Sequence, residues 1–193
     1  IGALPEGQGT FDPTPDQAPL KALVPTLATK KVDLAFTTDD ALNAQVAQLV
    51  QAQLAPTGLQ VTTRGVTQQT TWSWPTKTEG RPNALILPAN PDSTDPSSFA
   101  GLFYAQNGGL SYFAPTNVAK ADGLLQQGLY TADAAASAKA FEAAADEYTA
   151  SGNYIPLGDL KAVFVARKGI CGWDQAHNFA TLWAFRPQNL TAC

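Results

Sequence analysis

Residues 31–37 (KVDLAFT) alternate apolar and polar side chains, the period of a strand with one face on a core. The period then changes. Thr38 or Asp39 can cap a helix that runs through Leu54, since Leu42, Val46, Leu49, Val50 and Leu54 share one helical face and Gly58 follows as a terminator. Residues 59–66 (LQVTTRGV) return to alternation with β-branched side chains, so the three pieces predict a βαβ unit with parallel strands and a right-handed crossover. Residues 67–82 predict a polar loop carrying Trp72 and Trp74. The wholly apolar run 84–87, stopped by Pro88, predicts a buried central strand.

Beyond it, Asp95-Pro96 is a helix start, because Asp accepts a backbone hydrogen bond at the cap while Pro suits the first helical position. That helix is expected over 97–104. A Gly-rich loop over 106–115 leads to two more helices, about 117–127 and 133–150, the second with Phe141, Ala144, Ala145 and Tyr148 as its apolar stripe. Residues 162–167 (AVFVAR) predict a last strand, and 169–193 an irregular, aromatic tail. Pro5, Pro13, Pro15, Pro19 and Pro25 make 1–25 an extended surface segment, with at most a short helix around 20–24. The expected architecture is therefore α/β with a mixed sheet: an extended 1–25, one ligand-binding lobe over 26–170 and a tail over 171–193. Sheets of this kind take ligands at the carboxyl ends of their strands, which directs attention to the loops after Val66 and Leu87.

Composition narrows the function. A net charge of -4, with only 12 Lys and Arg and no basic stripe, argues against nucleic acid, whose phosphates require clustered cations. No apolar run approaches the roughly 18 residues that span a bilayer. Charged residues are 15% of the chain, well below the roughly 25% of ordinary soluble domains, with Ala, Thr, Gln and Ser in their place; that balance suits an exported protein. The chain holds no Met and opens on Ile1-Gly2-Ala3, which reads as a piece of a longer protein. Cys171 and Cys193 stand without a CxxC or a His pair, so zinc is disfavoured and the choice is between a disulfide and free thiols.

Catalytic patterns are scarce. No GxSxG elbow is present, and His177 is the single histidine, which reads as a surface or hydrogen-bonded tail residue rather than a base or ligand. Gly7-Gln8-Gly9 follows no strand and lacks the Lys-Ser/Thr ending of a phosphate loop. Asp39-Asp40 is explained by helix capping. Asp92 has no such local task. In Asn90-Pro91-Asp92 it lies past a strand end, where it is either a turn aspartate or an acceptor for a ligand ammonium. Trp72 and Trp74 either offer a stacking surface to a ligand or pack one ring on the sheet edge.

Several passages carry a resemblance in the order that a known family has them. They are residues 46–61 (VAQLVQAQLAPTGLQV), Asp95-Pro96-Ser97-Ser98-Phe99, Gly108-Gly109-Leu110-Ser111-Tyr112-Phe113, Ala121-Asp122-Gly123-Leu124-Leu125, and Tyr154-Ile155-Pro156-Leu157 with 164–173. Together they resemble the C-terminal lobe of the family 5 extracellular solute-binding proteins, the oligopeptide-, dipeptide- and nickel-binding components of ABC importers. The resemblance implies one lobe of a two-lobed, type II periplasmic-binding-protein-like fold, no enzymatic activity and no cofactor. It implies a small solute or peptide as ligand, a transporter permease as partner of the intact protein, and a lipid-anchored place on the outer face of the cell envelope or in the periplasm. An envelope lipoprotein of the same fold that acts through a protein partner is the alternative. For the site it implies Asp92 as the acceptor of a peptide amino terminus, with Asn90, Trp72, Trp74, Ser111 and Tyr112 as further contacts. Two departures bear on the ligand: Ala89 stands where peptide binders often have Trp, and Ser111 replaces the usual Asn before Tyr112.

Overall fold

In the computed structural model, which describes residues 16–89, 95–113, 116–155, 157–158, 165, 167–173 and 186–193, the chain divides into two units at residues 89 and 90. The span 26–170, expected as one lobe, thus contributes to both.

The first unit is the βαβ unit and its surroundings. After a short helix α1 (Ala18–Leu23), strand β1 (Lys31–Thr37) leads to helix α2 (Ala41–Leu54), strand β2 (Gln60–Val66), a one-turn helix α3 (Gln68–Thr71) and strand β3 (Ala84–Ile86). The strands are parallel in the order β2-β1-β3, with Lys31 opposite Gln60 and Phe36 opposite both Gly65 and Ile86. Among the described strands the centre is therefore β1, and β3 is an edge. The apolar run at 84–87 packs on α2: Ile86 joins Leu34, Ala47 and Val61 in one core, and Val32, Phe36, Val46, Val50 and Leu54 pack around it.

Helix α2 begins one residue later than the sequence suggests. Asp40 is its cap, its carboxylate accepting from the Leu42 N–H at 2.8 Å. Its buried stripe is also rotated. Asn43 and Ala47 are buried while Leu42 and Leu49 are exposed. Asn43 is accommodated because its amide donates to the Thr37 hydroxyl at 2.8 Å and the Thr37 carbonyl at 3.2 Å, binding the start of the helix to the end of the central strand. Lower down, the Gln51 amide donates to the Val61 carbonyl at 2.5 Å. A short 3-10 turn, Ala55–Thr57, follows, and Gly58 at φ 90° turns the chain into β2.

The second unit contains helices α4 (Pro96–Phe103), α5 (Ala119–Tyr130) and α6 (Ala134–Ala150), then strands β4 (Ile170–Cys171) and β5 (Thr191–Ala192). Asp95 caps α4 and Asp133 caps α6, each through its carboxylate. Asn117 does not cap α5. Its side chain instead bonds the Ser151 carbonyl at 3.2 Å and Asn153 at 2.7 Å, just past the end of α6. Helices α5 and α6 run antiparallel, since contacts pair Gly128 with Phe141 but Lys120 with Glu147. Their core is Val118, Ala121, Leu125, Phe141, Ala144 and Tyr148, to which Ala100 of α4 adds. The expected strand at 162–167 lies mostly outside the described residues. In the tail, β4 and β5 pair antiparallel and form a sheet of their own. Among the described residues no helix is long and apolar enough to cross a membrane.

Candidate functional site

Strand order alone marks a preferred place in the first unit. From the carboxyl end of β1 the chain passes through α2 to β2 on one side, whereas β3 lies on the other side of β1 and its chain leaves at Leu87. The carboxyl ends of parallel strands are the usual ligand position in open α/β sheets. Asn90 and Asp92, the residues singled out just past β3, lie outside the described residues.

Past the end of β2 the chain is firmly built. The Thr67 hydroxyl accepts from the Thr70 N–H at 3.2 Å and caps α3, and Thr71 is buried. That turn separates the two indoles. Trp72, the last residue of the turn, is 56% exposed, whereas Trp74 is 2% exposed. Trp74 is the ring that packs inward, and Trp72 is the one available for stacking.

The cause of Trp74 burial lies far off in sequence. Arg64 of β2 sets its guanidinium carbon 5.8 Å from the Trp74 ring centre, a cation–π distance. The same guanidinium donates through Nε to both Asp33 oxygens, at 3.1 and 2.9 Å, and through its terminal nitrogen to the Gly80 carbonyl at 2.6 Å. Arg81 closes the other end with a hydrogen bond to the Trp74 carbonyl. One arginine thus joins β2 to β1 and to the 67–83 excursion, an arrangement without a local sequence signal.

In the second unit, Ser111 and Tyr112 are both buried. They belong to an aromatic cluster: Tyr112 lies 6.4 Å from the Phe103 ring, and Tyr154 lies 4.2 Å from Tyr104, which lies 5.7 Å from Tyr148. The Tyr154 hydroxyl donates to the Phe103 carbonyl at 2.6 Å, so in the 3.4 Å contact between them Ser111 is the donor and Tyr154 the acceptor. With its hydroxyl occupied in this way, Ser111 acts within the cluster. Gly108, just before it, is required by a close approach: a Cβ there would lie 2.3 Å from the Leu102 carbonyl oxygen.

All three clustered tyrosines resist ionisation. Burial pushes Tyr104 and Tyr148 well above the usual phenol range; the nearby Tyr154 adds to this for Tyr104, and the hydrogen bond to Asp122 and its charge add to it for Tyr148. Burial also raises Tyr154, against a lowering by the Ser111 hydrogen bond. These are neutral packing groups. The sequence marks Tyr148 as part of an apolar stripe, but no local signal brings Tyr104 and Tyr154 against it. Among the described residues no group of three or more His, Cys, Asp or Glu is placed to hold a metal.

No protein-family model matches the chain, and no curated protein sequence matches it. Solved structures do. AppA from Clostridium difficile, assigned as a peptide binding protein, superimposes with a TM-score of 0.66 at 12% identity, covering 90% of this chain and 36% of that one. NikA from Brucella suis, solved in complex with Fe(III)-EDTA, gives a TM-score of 0.58 at 18% identity over 79% of this chain and 33% of that one. The chain spans about a third of the length of either protein. It has the α/β fold of part of a two-lobed, periplasmic-binding-protein-like protein, the architecture that its sequence resembles.

Proposed function

We propose that the chain is the C-terminal-lobe part of a solute-binding protein that captures a peptide or a comparably sized organic solute for an ABC importer. The fold likeness to two proteins, one assigned to peptide binding and one solved with a metal chelate, carries this reading. The parallel β2-β1-β3 sheet, whose kind takes ligands at the carboxyl ends of its strands, supports it, as does an exposed Trp72 on a capped turn past β2. In this reading Trp72 stacks on an apolar or aromatic part of the solute. Asp92 accepts its ammonium group and Asn90 adds a polar contact. Trp74 fixes the turn that carries Trp72, and Ser111 and Tyr112 fix the aromatic cluster of the second unit. The Cys171–Cys193 disulfide supports a place outside the cytoplasm, where such bonds persist. A lipid anchor on the full-length protein would hold it near the permease.

The test is thermal denaturation of the full-length protein with short peptides, free amino acids, sugars, amines and metal chelates. A cognate solute at about 100 times its Kd stabilises by roughly 2.7 kcal/mol, a readily visible rise in Tm. An Asp92→Asn variant should lose most of the response to a solute with a free amino terminus. Unchanged Tm with every class of solute overturns the proposal.

A further inference from the structure

Strands β4 and β5 are only two residues long, paired in the register Ile170 to Ala192 and Cys171 to Thr191. The Cys193 N–H donates to the Gly169 carbonyl at 3.1 Å, and the residues of both strands are exposed to solvent. The backbones meet closely at one point, where a side chain on Gly172, at φ 83°, would sit 2.3 Å from the Asn189 carbonyl oxygen. A two-stranded ladder of this length, with all four strand residues exposed, is at best marginal in water, because ordering its residues outweighs a few solvent-exposed hydrogen bonds. The covalent link is of another order. Cys171 and Cys193 are joined by a disulfide, with Cα atoms 5.5 Å apart and a sequence separation of 22. Both cysteines are exposed, so a thiol or disulfide reagent reaches them in the folded chain.

We propose that Cys171 and Cys193 form an oxidation-controlled clip: residues 186–193 dock on 169–173 only when the disulfide is closed. Closure proceeds by exchange with a disulfide donor of the small-molecule or protein dithiol class. One cysteine thiolate attacks the donor disulfide and expels the first donor thiol. The second cysteine then attacks the mixed disulfide and expels the other. The pair gives up two electrons and two protons, and the donor disulfide becomes two thiols. The segment is thereby ordered after the chain reaches an oxidising compartment, while α5 and α6, which pack through their own core, do not depend on it.

Residue-resolved amide exchange on the full chain tests the clip. In the oxidised protein the Asn189, Leu190 and Cys193 amides, each hydrogen-bonded within 169–193, exchange slowly. After reduction with dithiothreitol, or in a C171S/C193S double variant, they exchange roughly tenfold or more faster, with α5 and α6 amides unchanged. Glutathione disulfide restores slow exchange to the reduced wild-type chain and not to the double variant. Exchange that is the same before and after reduction overturns the proposal, and so does a disulfide that glutathione disulfide fails to re-form in the folded chain.

Discussion

The Tyr148 hydroxyl donates to the Asp122 carboxylate across 2.6 Å, so the one polar atom of a side chain that is 2% exposed finds its partner on the facing helix. The other Asp122 oxygen accepts from the Gln106 N–H at 3.2 Å, in the loop that follows α4. One carboxylate therefore ties α5 to α6 and to the turn beyond α4. The two partners differ in what their loss leaves behind. Tyr148→Phe leaves a half-buried carboxylate that water still reaches, and should cost about 1 kcal/mol. Asp122→Ala strands the buried Tyr148 hydroxyl as well, and should cost roughly 2–3 kcal/mol. Urea unfolding of both variants measures the difference; equal costs would mean that the buried hydroxyl finds another acceptor.

The same cluster sets an alkaline limit on stability. Tyr104, Tyr148 and Tyr154 hold their protons to higher pH when folded, whereas an unfolded tyrosine releases its proton near pH ~10. Above that point the unfolded chain binds fewer protons than the folded one. The stabilisation is thus complete below about pH 10 and declines as the pH rises further. Unfolding midpoints measured between about pH 8 and pH 11 should fall at the alkaline end, and Tyr148→Phe should flatten the fall by one proton's worth. A Tyr148→Phe slope identical to the wild-type slope would remove Tyr148 from the account.

Gly128 of α5 faces Phe141 of α6 so closely that a Cβ would lie 2.7 Å from two ring carbons. An alanine inside an ordinary helix gains about 0.5–1 kcal/mol over glycine. Here the sign reverses. The buried ring, held among Leu125, Ala144 and Tyr148, has to move, and overpacking of this kind costs roughly 1–3 kcal/mol. Gly128→Ala should lower the Tm, and adding Phe141→Leu should recover part of the loss, since the smaller side chain opens space at the contact. If Gly128→Ala alone raises the Tm, the helices have room to separate.

What local chemistry governs was legible in the chain. The strand at 31–37, the Asp95 cap, and Phe141, Ala144 and Tyr148 of the α6 stripe all rest on neighbours within four residues, and the structure has each of them. What distant contacts govern was not. Asn43 takes a core position in α2 because Thr37 meets its amide, which displaces the buried stripe away from Leu42 and Leu49. The apolar run at 84–87 reads as central, yet strand order depends on pairing, and among the described strands β1 holds that place. For the candidate site, the sequence singled out Trp72 and Trp74 together but left open which ring turns outward. That choice depends on Arg64 and Arg81, one on a neighbouring strand and one seven residues past Trp74.

The two indoles should therefore separate stability from binding. Trp74→Ala removes a large buried ring from beneath the Arg64 guanidinium, a loss of about 3–5 kcal/mol that should be read in urea unfolding. Trp72→Ala removes an exposed ring and should change stability by no more than about 0.5 kcal/mol. Its effect belongs to the solute. In the full-length protein with a solute found by thermal denaturation, loss of a stacked indole should weaken binding by about 1–2 kcal/mol, roughly a tenfold rise in Kd by calorimetry, and Trp72→Phe should restore much of it. An unchanged Kd in Trp72→Ala would take the exposed indole out of the site and leave the solute contacts to the loop past β3.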